Sequence, residues 1–496
     1  MADLGNIASF AYSVPEIVLA LSVVGLFIVD LVVVNKDVVG KLALVAMGVV
    51  VALLAFWLPE PGDLHSLFNR QVVFDEYGQF FKVLLALSGF AAVWMSLGSE
   101  EVRRVNQGEY FAILLAGTLG MLFMASATNL LMGYLALEFL SLSSYVLAGY
   151  ALHSRRASEA SLKYLIYGGV ASGTMIYGMS WIYGLTGSLD FATIQNTLAA
   201  ADGSSLPLFV ALLLTIAGFG YKVSAFPFHM WAPDVYQGAP IPVATFLAVG
   251  SKSAGFALMI RFFFTAVAIP VGGGVYELVG GVDWTNLLLA ISIVTMTFGN
   301  LAALNQNKSV KRLLAYSSVA HAGYLLMGLV VLTGDGLSAM LFYLAVYYVM
   351  NLGAFLVVMV VANQSGRDDL DSFRGLAWRG GVFPAVAMAI FMFSLTGLPP
   401  FAGFIGKFYL FAAVIQRELY FLAIAGVLNS VLSLFYYVKI VRMMFLEKPE
   451  GGEGPVVVDR HNGLLLGVLA AATLILGIYW APLADLADQS AHFFIG

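Results

Sequence analysis

The chain has 496 residues, of which 60% are hydrophobic and 11% charged, with a formal net charge of −5 and no cysteine. A soluble protein would carry about 25% charged residues, so this composition excludes an ordinary soluble domain. The lack of cysteine excludes iron–sulfur clusters and thiolate-bound metals in this chain, and the lack of Walker A and Rossmann glycine motifs excludes an ATP-driven or dinucleotide-binding chain.

Apolar runs of about 20 residues recur along the whole chain, and such a run crosses the roughly 30 Å of membrane hydrocarbon. They predict an all-α polytopic membrane protein, because the alternating pattern of outer-membrane strands is missing. Residues 1–13 lack a basic segment, so the first run is expected to be a retained helix rather than a signal peptide. The sequence predicts about fourteen spans, at 14–34, 41–58, 76–98, 110–127, 129–150, 161–186, 206–236, 241–264, 284–305, 311–332, 337–362, 380–416, 418–445 and 462–482.

Two predicted spans, 206–236 and 380–416, are too long for one straight crossing at 1.5 Å per residue. The first contains Pro227 and the second contains Pro399 and Pro400, so both are predicted to be broken helices. Each is the fourth member of a five-span block, spans 4–8 and spans 9–13. Because blocks with an odd number of spans lie in opposite orientations, we predict two inverted repeats.

The predicted domains are an N-terminal three-helix segment at 1–105, the two five-helix repeats at 106–265 and 280–446, and a loop with the last span at 447–496. Basic residues predict the orientation of these spans. Loops after even-numbered spans hold only Arg70 and Arg417. Loops after odd-numbered spans hold Lys36, Lys41, Arg103, Arg104, Arg155, Arg156, Lys163, Lys308, Lys311, Arg312, Arg367, Arg374, Arg379, Lys439, Arg442, Lys448 and Arg460. This second set defines the basic face of the protein, which is predicted to be cytoplasmic, with both termini on the outer side.

Five basic residues remain within the spans. Lys82 and Arg261 lie near the outer surface, where long side chains can extend to water, and this is the simpler expectation for both. The other three are too deep for that, and a lysine at the centre of a membrane helix costs roughly 2.5–3.5 kcal/mol to insert. Ionisable groups at such depth are candidates for a functional site, and these three are Lys222, Lys252 and Lys407.

Glu138 lies deep in the fifth span, and a lysine partner would allow both groups to stay charged there. Lys222, five residues before Pro227, is the expected partner. The alternative is a static ion pair that holds two helices together. A proline break next to a lysine frees backbone groups that water in an internal cavity can satisfy, which favours proton exchange by the lysine.

The same arrangement recurs where Lys407 follows Pro400. Lys252 has no break, but its small neighbours allow close helix approach and leave room for water. His321 lies in the middle of a span, and imidazole both accepts and donates a proton. It is either a relay between Lys252 and Lys407 or a packed, hydrogen-bonded histidine. His229 and Asp234, near the predicted cytoplasmic surface, are candidates for proton entry, with helix capping as the alternative.

Three segments carry a resemblance to a known family: FPFHMWAPDVYQGAPIPVATFLAVGSKSAGFALMIR, LLAYSSVAHAGY and SLTGLPPFAGFIGKFYLF. They resemble the antiporter-like membrane subunits of respiratory complex I, and the resemblance covers residues 106–444. Within that family the chain is most similar to subunit N, because a lysine follows GLPPFAGFIG, the segment GSKSAGFA is present, and no long lateral helix follows the last span.

This resemblance implies a proton path. It implies that Glu138 pairs with Lys222 and that protons pass by Lys252 and His321 to Lys407, driven by quinone reduction on other subunits. NADH, FMN, iron–sulfur clusters and quinone would bind partner subunits, and this chain would hold no cofactor or metal. The implied partners are M-type and K-type membrane subunits, the redox arm reached through them, and membrane lipid, but no nucleic acid. The implied location is a bacterial inner membrane.

Two other functions share these sequence features. A multi-subunit sodium/proton antiporter carries the same motifs but is coupled to ion gradients. A structural membrane subunit would use its buried charges only for packing.

Overall fold

The computed structural model describes residues 2–59, 62–200, 206–272, 274–279, 284–449 and 454–492. Within these ranges the longer helices are α1 Val14–Val32, α2 Asp37–Phe56, α3 Glu76–Leu97, α4 Gln107–Ser126, α5 Leu130–Ala148, α6 Arg155–Thr186, α7 Phe191–Ala200, α8 Leu206–Val223, α9 Trp231–Gly238, α10 Ile241–Val267, α11 Trp284–Leu304, α12 Val310–Val331, α13 Gly334–Ser365, α14 Val382–Thr396, α15 Ala402–Gln416, α16 Tyr420–Leu446, α17 Arg460–Ile478 and α18 Ala481–His492.

All fourteen predicted spans correspond to helices, which confirms the polytopic all-α fold. Among the described residues, 12 helices are long and apolar enough to cross a membrane. The other two spans are α6, which begins with two arginines, and the broken span formed by the short apolar helices α14 and α15. The predicted domain boundary at residue 280 lies outside the described residues, as do residue 1 and residues 493–496.

Several elements were not predicted. Short strands β1 Ala2–Asp3, β2 His65–Leu67 and β3 Val72–Phe74 form a small sheet, in which β1 and β2 are parallel and β2 and β3 antiparallel. Strands β4 Ala268–Gly272 and β5 Val275–Leu278 form an antiparallel hairpin between the two blocks. Helices α7 and α18 also lie outside the predicted spans. These elements are too short to produce a clear hydrophobic period.

Both predicted helix breaks are present, and each broken span is the fourth of its five-span block. Residues 224–230 separate α8 from α9, and residues 397–401 separate α14 from α15. At the first break, the Phe226 N–H donates to Thr295 Oγ1 at 3.0 Å and the indole of Trp231 donates to the Tyr221 carbonyl at 2.9 Å. Polar groups freed by the break are therefore satisfied by protein, as a membrane interior requires.

The core is formed by α10, α12 and α13. In the most apolar stretch of each of these helices, 100%, 94% and 89% of the residues are buried. The corresponding fractions for α1, α16 and α17 are 22%, 39% and 33%. Large apolar side chains on these outer helices face away from the core, where lipid or partner subunits would cover them. The inner helices therefore provide the environment in which buried polar groups are held.

Close contact between α11 and α12 depends on glycine. A Cβ at Gly299 would lie 2.5 Å from the Ala320 nitrogen, and one at Gly323 would lie 2.5 Å from the Met296 nitrogen. Helices in membranes approach this closely where residues are small. This packing places α12 against α11 on one side and leaves its polar side chains facing the core.

The expectation that Lys82 and Arg261 extend to the outer surface is wrong. Both are buried, with Lys82 4% and Arg261 0% exposed. Lys82 pairs with Glu16 at 2.6 Å, and Arg261 makes two bonds to Asp75, at 2.6 and 3.0 Å. Carboxylates from the N-terminal helices reach these cations inside the protein, so neither needs water. The Asp75–Arg261 contact also joins α3 to α10 of the first block.

Candidate functional site

Lys222 lies in the last turn of α8, just before the first helix break, and is 1% exposed. Its Nζ donates to Ser141 Oγ on α5 at 3.1 Å. A Cβ at Gly255 would lie 2.9 Å from the Lys222 Cγ, so α10 leaves space for this side chain. Gly255 follows Lys252 by less than one turn, which places the first two lysines on neighbouring helices.

The expected ion pair between Glu138 and Lys222 is not formed, although both residues lie in the described part of the chain. Glu138 Oε1 has no hydrogen-bond partner, and Lys222 Nζ bonds to Ser141 and not to Glu138. Ser141, one turn further along α5 than Glu138, holds the ammonium instead. Glu138 and Ser141 both line a narrow cleft between α5, α6 and α8, so carboxylate and ammonium approach the same site without direct contact.

Lys252 lies in α10 directly after a π-helical turn, Leu247–Ser251. Its Nζ donates to the Ser318 carbonyl at 2.7 Å and also to the Ser318 hydroxyl. That hydroxyl accepts from Tyr347 at 2.8 Å, and Tyr347 accepts from Asn351 at 2.7 Å. Within the described residues the hydrogen-bond partners of Lys252 are the neutral oxygen atoms of Ser318, with no carboxylate among them.

His321 lies one turn after Ser318 on α12 and is 1% exposed. Its Nδ1 is 2.6 Å from the Tyr343 hydroxyl, and its Nε2 is 3.1 Å from the Tyr437 hydroxyl. Tyr437 in turn shares a hydrogen bond with Ser317. Both ring nitrogens thus contact hydroxyl groups, each of which can donate or accept a proton.

Lys407 lies in α15, and its ammonium is at the end of the preceding half-helix α14. It donates to the carbonyls of Leu395 at 3.2 Å and Thr396 at 2.8 Å, and to Ser430 Oγ at 3.1 Å. Its Nζ also lies 4.4 Å from the centre of the Tyr324 ring. The Ser430 hydroxyl donates to the Tyr324 hydroxyl at 3.2 Å, which connects Lys407 to α12.

Polar side chains of α10, α12, α13, α15 and α16 therefore lie together in one part of the core, in three hydrogen-bonded groups around Lys252, His321 and Lys407. We call this set the central polar network. Its members are Lys252, Ser317, Ser318, His321, Tyr324, Tyr343, Tyr347, Lys407, Ser430 and Tyr437. The sequence predicted the lysines and His321, but not Tyr343, Tyr347, Ser430 or Tyr437. The spacing of Tyr343 and Tyr347, four residues apart on one apolar helix, could have indicated that α13 presents hydroxyl groups to this network.

The two helix breaks use their lysines in a similar way. Lys222 lies in the last turn of α8, and the Lys407 ammonium binds the last carbonyls of α14. In both cases a positive charge lies at the C-terminal end of a half-helix, where the helix dipole and free carbonyls favour it. Gly397, with φ +90°, ends α14, and a Cβ there would lie 2.8 Å from Lys407 Cδ.

The two candidates for proton entry lie in different environments. His229 is 2% exposed, its Nδ1 has no hydrogen-bond partner, and its ring lies 4.4 Å from that of Phe298. Asp234 accepts from Lys163 at 2.7 Å and pairs with Arg312. The structure brings neither of them into contact with the central polar network.

Comparison with known proteins places these features in one family. The family model of the NADH:quinone oxidoreductase/Mrp antiporter transmembrane region matches residues 127–433. NADH-quinone oxidoreductase subunit N of Anaeromyxobacter sp. (strain Fw109-5) is 44% identical, and the alignment covers 99% of this chain and 98% of that relative.

Solved structures show the same fold. A chain of respiratory complex I from Thermus thermophilus, solved with bound aureothin, is 30% identical with a TM-score of 0.79, covering 96% of this chain and 99% of that one. A chain of the Mrp complex from Dietzia sp. DQ12-45-1b has a TM-score of 0.83 at 20% identity, covering 98% of each chain, a likeness of fold alone.

Proposed function

The chain belongs to the NADH:quinone oxidoreductase/Mrp antiporter family of membrane subunits, as a subunit N of NADH-quinone oxidoreductase, and from this premise we propose how its residues move protons. The enzyme couples electron transfer from NADH to quinone on other subunits to proton translocation across the membrane. In this chain, the attraction between Glu138 and Lys222 is what changes during the cycle. Lys252 and His321 relay the proton, and Lys407 is the last site that holds it.

One observation carries this proposal: two buried lysines that have no carboxylate partner among the described residues are each held by hydroxyl groups. The His321 imidazole lies between these two groups, with its ring centre 5.2 Å from that of Tyr347 and 5.9 Å from that of Tyr324. A static structural role would be served by ion pairs such as Asp75–Arg261. A lysine held only by neutral oxygens has a positive charge that no carboxylate balances. This charge appears when the amine binds a proton and disappears when the proton is released. Hydroxyl and imidazole groups between them both accept and donate, which is what proton transfer requires.

The driving step is electrostatic. Glu138 has one unpartnered oxygen near the Lys222 ammonium, so a small movement of either side chain changes their attraction strongly in this low-dielectric interior. When the attraction weakens, Lys222 gives up its proton. Water, Lys252 and His321 then pass a proton to Lys407. Moving one charge against 100 mV needs about 2.3 kcal/mol, which changes in buried charge pairs of this kind can supply.

The surroundings of the chain follow from its family. It is a multi-pass protein of a respiratory membrane complex and contacts other membrane-arm subunits. We further propose that M-type and K-type subunits are its neighbours and that NADH, FMN, iron–sulfur clusters and quinone bind other subunits of the complex. The basic face is the cytoplasmic side of a bacterial inner membrane, with both termini outside, because basic loops remain on the side of synthesis.

The variant Lys407→Ala tests the function. Inverted membrane vesicles from cells expressing the variant complex should pump fewer protons per NADH oxidised, while electron transfer from NADH to an artificial acceptor is retained. Lys448→Ala, an exposed lysine on the basic face, is the matched control and should pump normally.

Two outcomes would contradict the proposal. Loss of assembled complex, rather than of pumping, would favour a structural subunit. Sodium-dependent transport by this chain without redox partners would favour a cation/proton antiporter.

A further inference from the structure

A polar cavity of about 280 Å³ opens on the basic face. Its lining includes Glu101, Arg104, Lys311, Ala362 and Asp368, from three separate segments of the chain. The cavity lies where α10, α12 and α13 have their ends on that face. It therefore lies above the three helices that hold the relay lysine and the central polar network.

The floor of this cavity is a buried ion pair. Lys311 has a side chain only 3% exposed, and its Nζ lies 3.0 Å from Asp368 Oδ2. It also donates to the Ala239 carbonyl at 3.1 Å. Asp368 is 24% exposed and lines the cavity, so its carboxylate is open to the cavity and also contacts the buried ammonium. This is a polar boundary between the cytoplasm and the core.

Unpartnered hydroxyl groups lie beyond this boundary. Tyr236, three residues before Ala239, is 0% exposed, and its hydroxyl has no hydrogen-bond partner although Ser318 is close. The hydroxyls of Tyr164 and Ser251 are also buried without partners, and they lie near each other. Buried hydroxyls are normally satisfied by ordered water when protein groups do not reach them. Ser251 and Ser318 are the immediate neighbours of Lys252.

From this geometry we propose that the basic-face cavity is the proton entry of the chain and that it supplies Lys252 through Asp368, ordered water, Tyr236 and Ser318. A proton from the cavity water binds the Asp368 carboxylate, and the hydroxyls each accept one proton and release another. The unprotonated amine of Lys252 takes the last one. Lys311 is a positioning residue, because it fixes Asp368 and the end of α9 without accepting the proton.

The same geometry disfavours entry by His229 and Asp234. Asp234 is held by two cations, Lys163 and Arg312, whereas Asp368 is held by Lys311 alone, so Asp234 is the harder of the two carboxylates to protonate. His229 packs between aromatic rings and contacts no member of the central polar network. Neither residue lines the cavity.

Thiol labelling tests this proposal, since the chain has no cysteine of its own. Ala362→Cys places a small thiol in the cavity lining, and inverted vesicles expose the basic face to a charged, membrane-impermeant methanethiosulfonate reagent. Labelling should lower the protons pumped per NADH to the level of unlabelled Lys252→Ala, and a reducing agent should restore it. Ser158→Cys, exposed on the same face outside the cavity, should be labelled without effect.

Four further variants, two of them expected to pump normally, keep the test independent of labelling. Asp368→Asn and Tyr236→Phe should each lower pumping, whereas Lys308→Gln, an exposed lysine three residues before Lys311, should not. Lys311→Arg should retain pumping, because it keeps the cation that holds Asp368.

The inference rests on the proposed function, and the outcomes separate the two. If Lys252→Ala pumps normally, the proposed relay fails. If Lys252→Ala loses pumping while Ala362→Cys is unreactive, or is labelled and still pumps, then the entry proposal alone is overturned.

Discussion

Replacing Ser318 by alanine tests the relay at a single residue, because both hydrogen bonds of the Lys252 ammonium go to Ser318. The Lys252 ammonium donates to the carbonyl and the hydroxyl of Ser318, and Ser318→Ala removes the hydroxyl while leaving the carbonyl in place. It also removes the acceptor of the Tyr347 hydroxyl. The change affects the proton path while adding no volume to the core.

The magnitude follows from the type of bond that is lost. A hydrogen bond to a charged group contributes about 1.5–3 kcal/mol. Since about 1.4 kcal/mol corresponds to a tenfold change in an equilibrium, the protonated form of Lys252 should be about 10- to 100-fold less populated relative to the neutral form. Proton transfer from Lys252 towards His321 would slow correspondingly, because the hydroxyl that connects α10 to α12 is missing.

The assay is NADH-driven acidification of inverted vesicles, compared with NADH oxidation in the same vesicles. Ser318→Ala should lower the protons pumped per NADH about as far as Lys252→Ala does. Ser180→Ala, an exposed serine on α6, is the matched control and should behave as the parent. If Ser318→Ala pumped like the parent while Lys252→Ala did not, the connection through Ser318 would be refuted.

Two further predictions concern the structure around the path. Arg261→Ala leaves the buried carboxylate of Asp75 without its arginine, and breaking a buried pair in this way costs about 3–5 kcal/mol, so the yield and thermal stability of the assembled complex should fall. Recovery of stability by Asp75→Asn in the same chain would confirm the cause, and unchanged stability of the single variant would contradict it. Gly397→Ala should lower pumping more than Gly187→Ala does, because both glycines have positive φ but only at Gly397 would the new Cβ contact Lys407; equal effects would show that backbone strain alone is responsible.

Most of the fold was predictable because the membrane imposes a simple pattern. A run of about 20 apolar residues must be a helix, so the bounds of α1 to α6 and of α10 to α13 follow from composition within a few residues. Proline marked both broken spans. By contrast, α7, α18 and the two small sheets lie outside the predicted spans, where no such constraint applies to so short an element.

The candidate site was predictable only in part. The sequence marks an ionisable residue in a membrane span because its burial is costly, which is how Glu138, Lys222, Lys252, His321 and Lys407 were found. Tyrosine and serine carry no such mark, since they occur widely in membrane helices. Their role depends on which helices face one another, so Tyr343 and Tyr437 could not be assigned to His321 before the helices were packed.

The sequence by itself determined the class of protein, its spans and breaks, and the burial of Lys222, Lys252, His321 and Lys407. Only the tertiary structure decided their partners. Lys222 binds Ser141 rather than Glu138, while Lys82 and Arg261 pair with carboxylates far away in the chain. The physical reason is that burial is a property of each residue's own segment, whereas a hydrogen bond or ion pair depends on contacts between segments. Position along the chain does not determine those contacts.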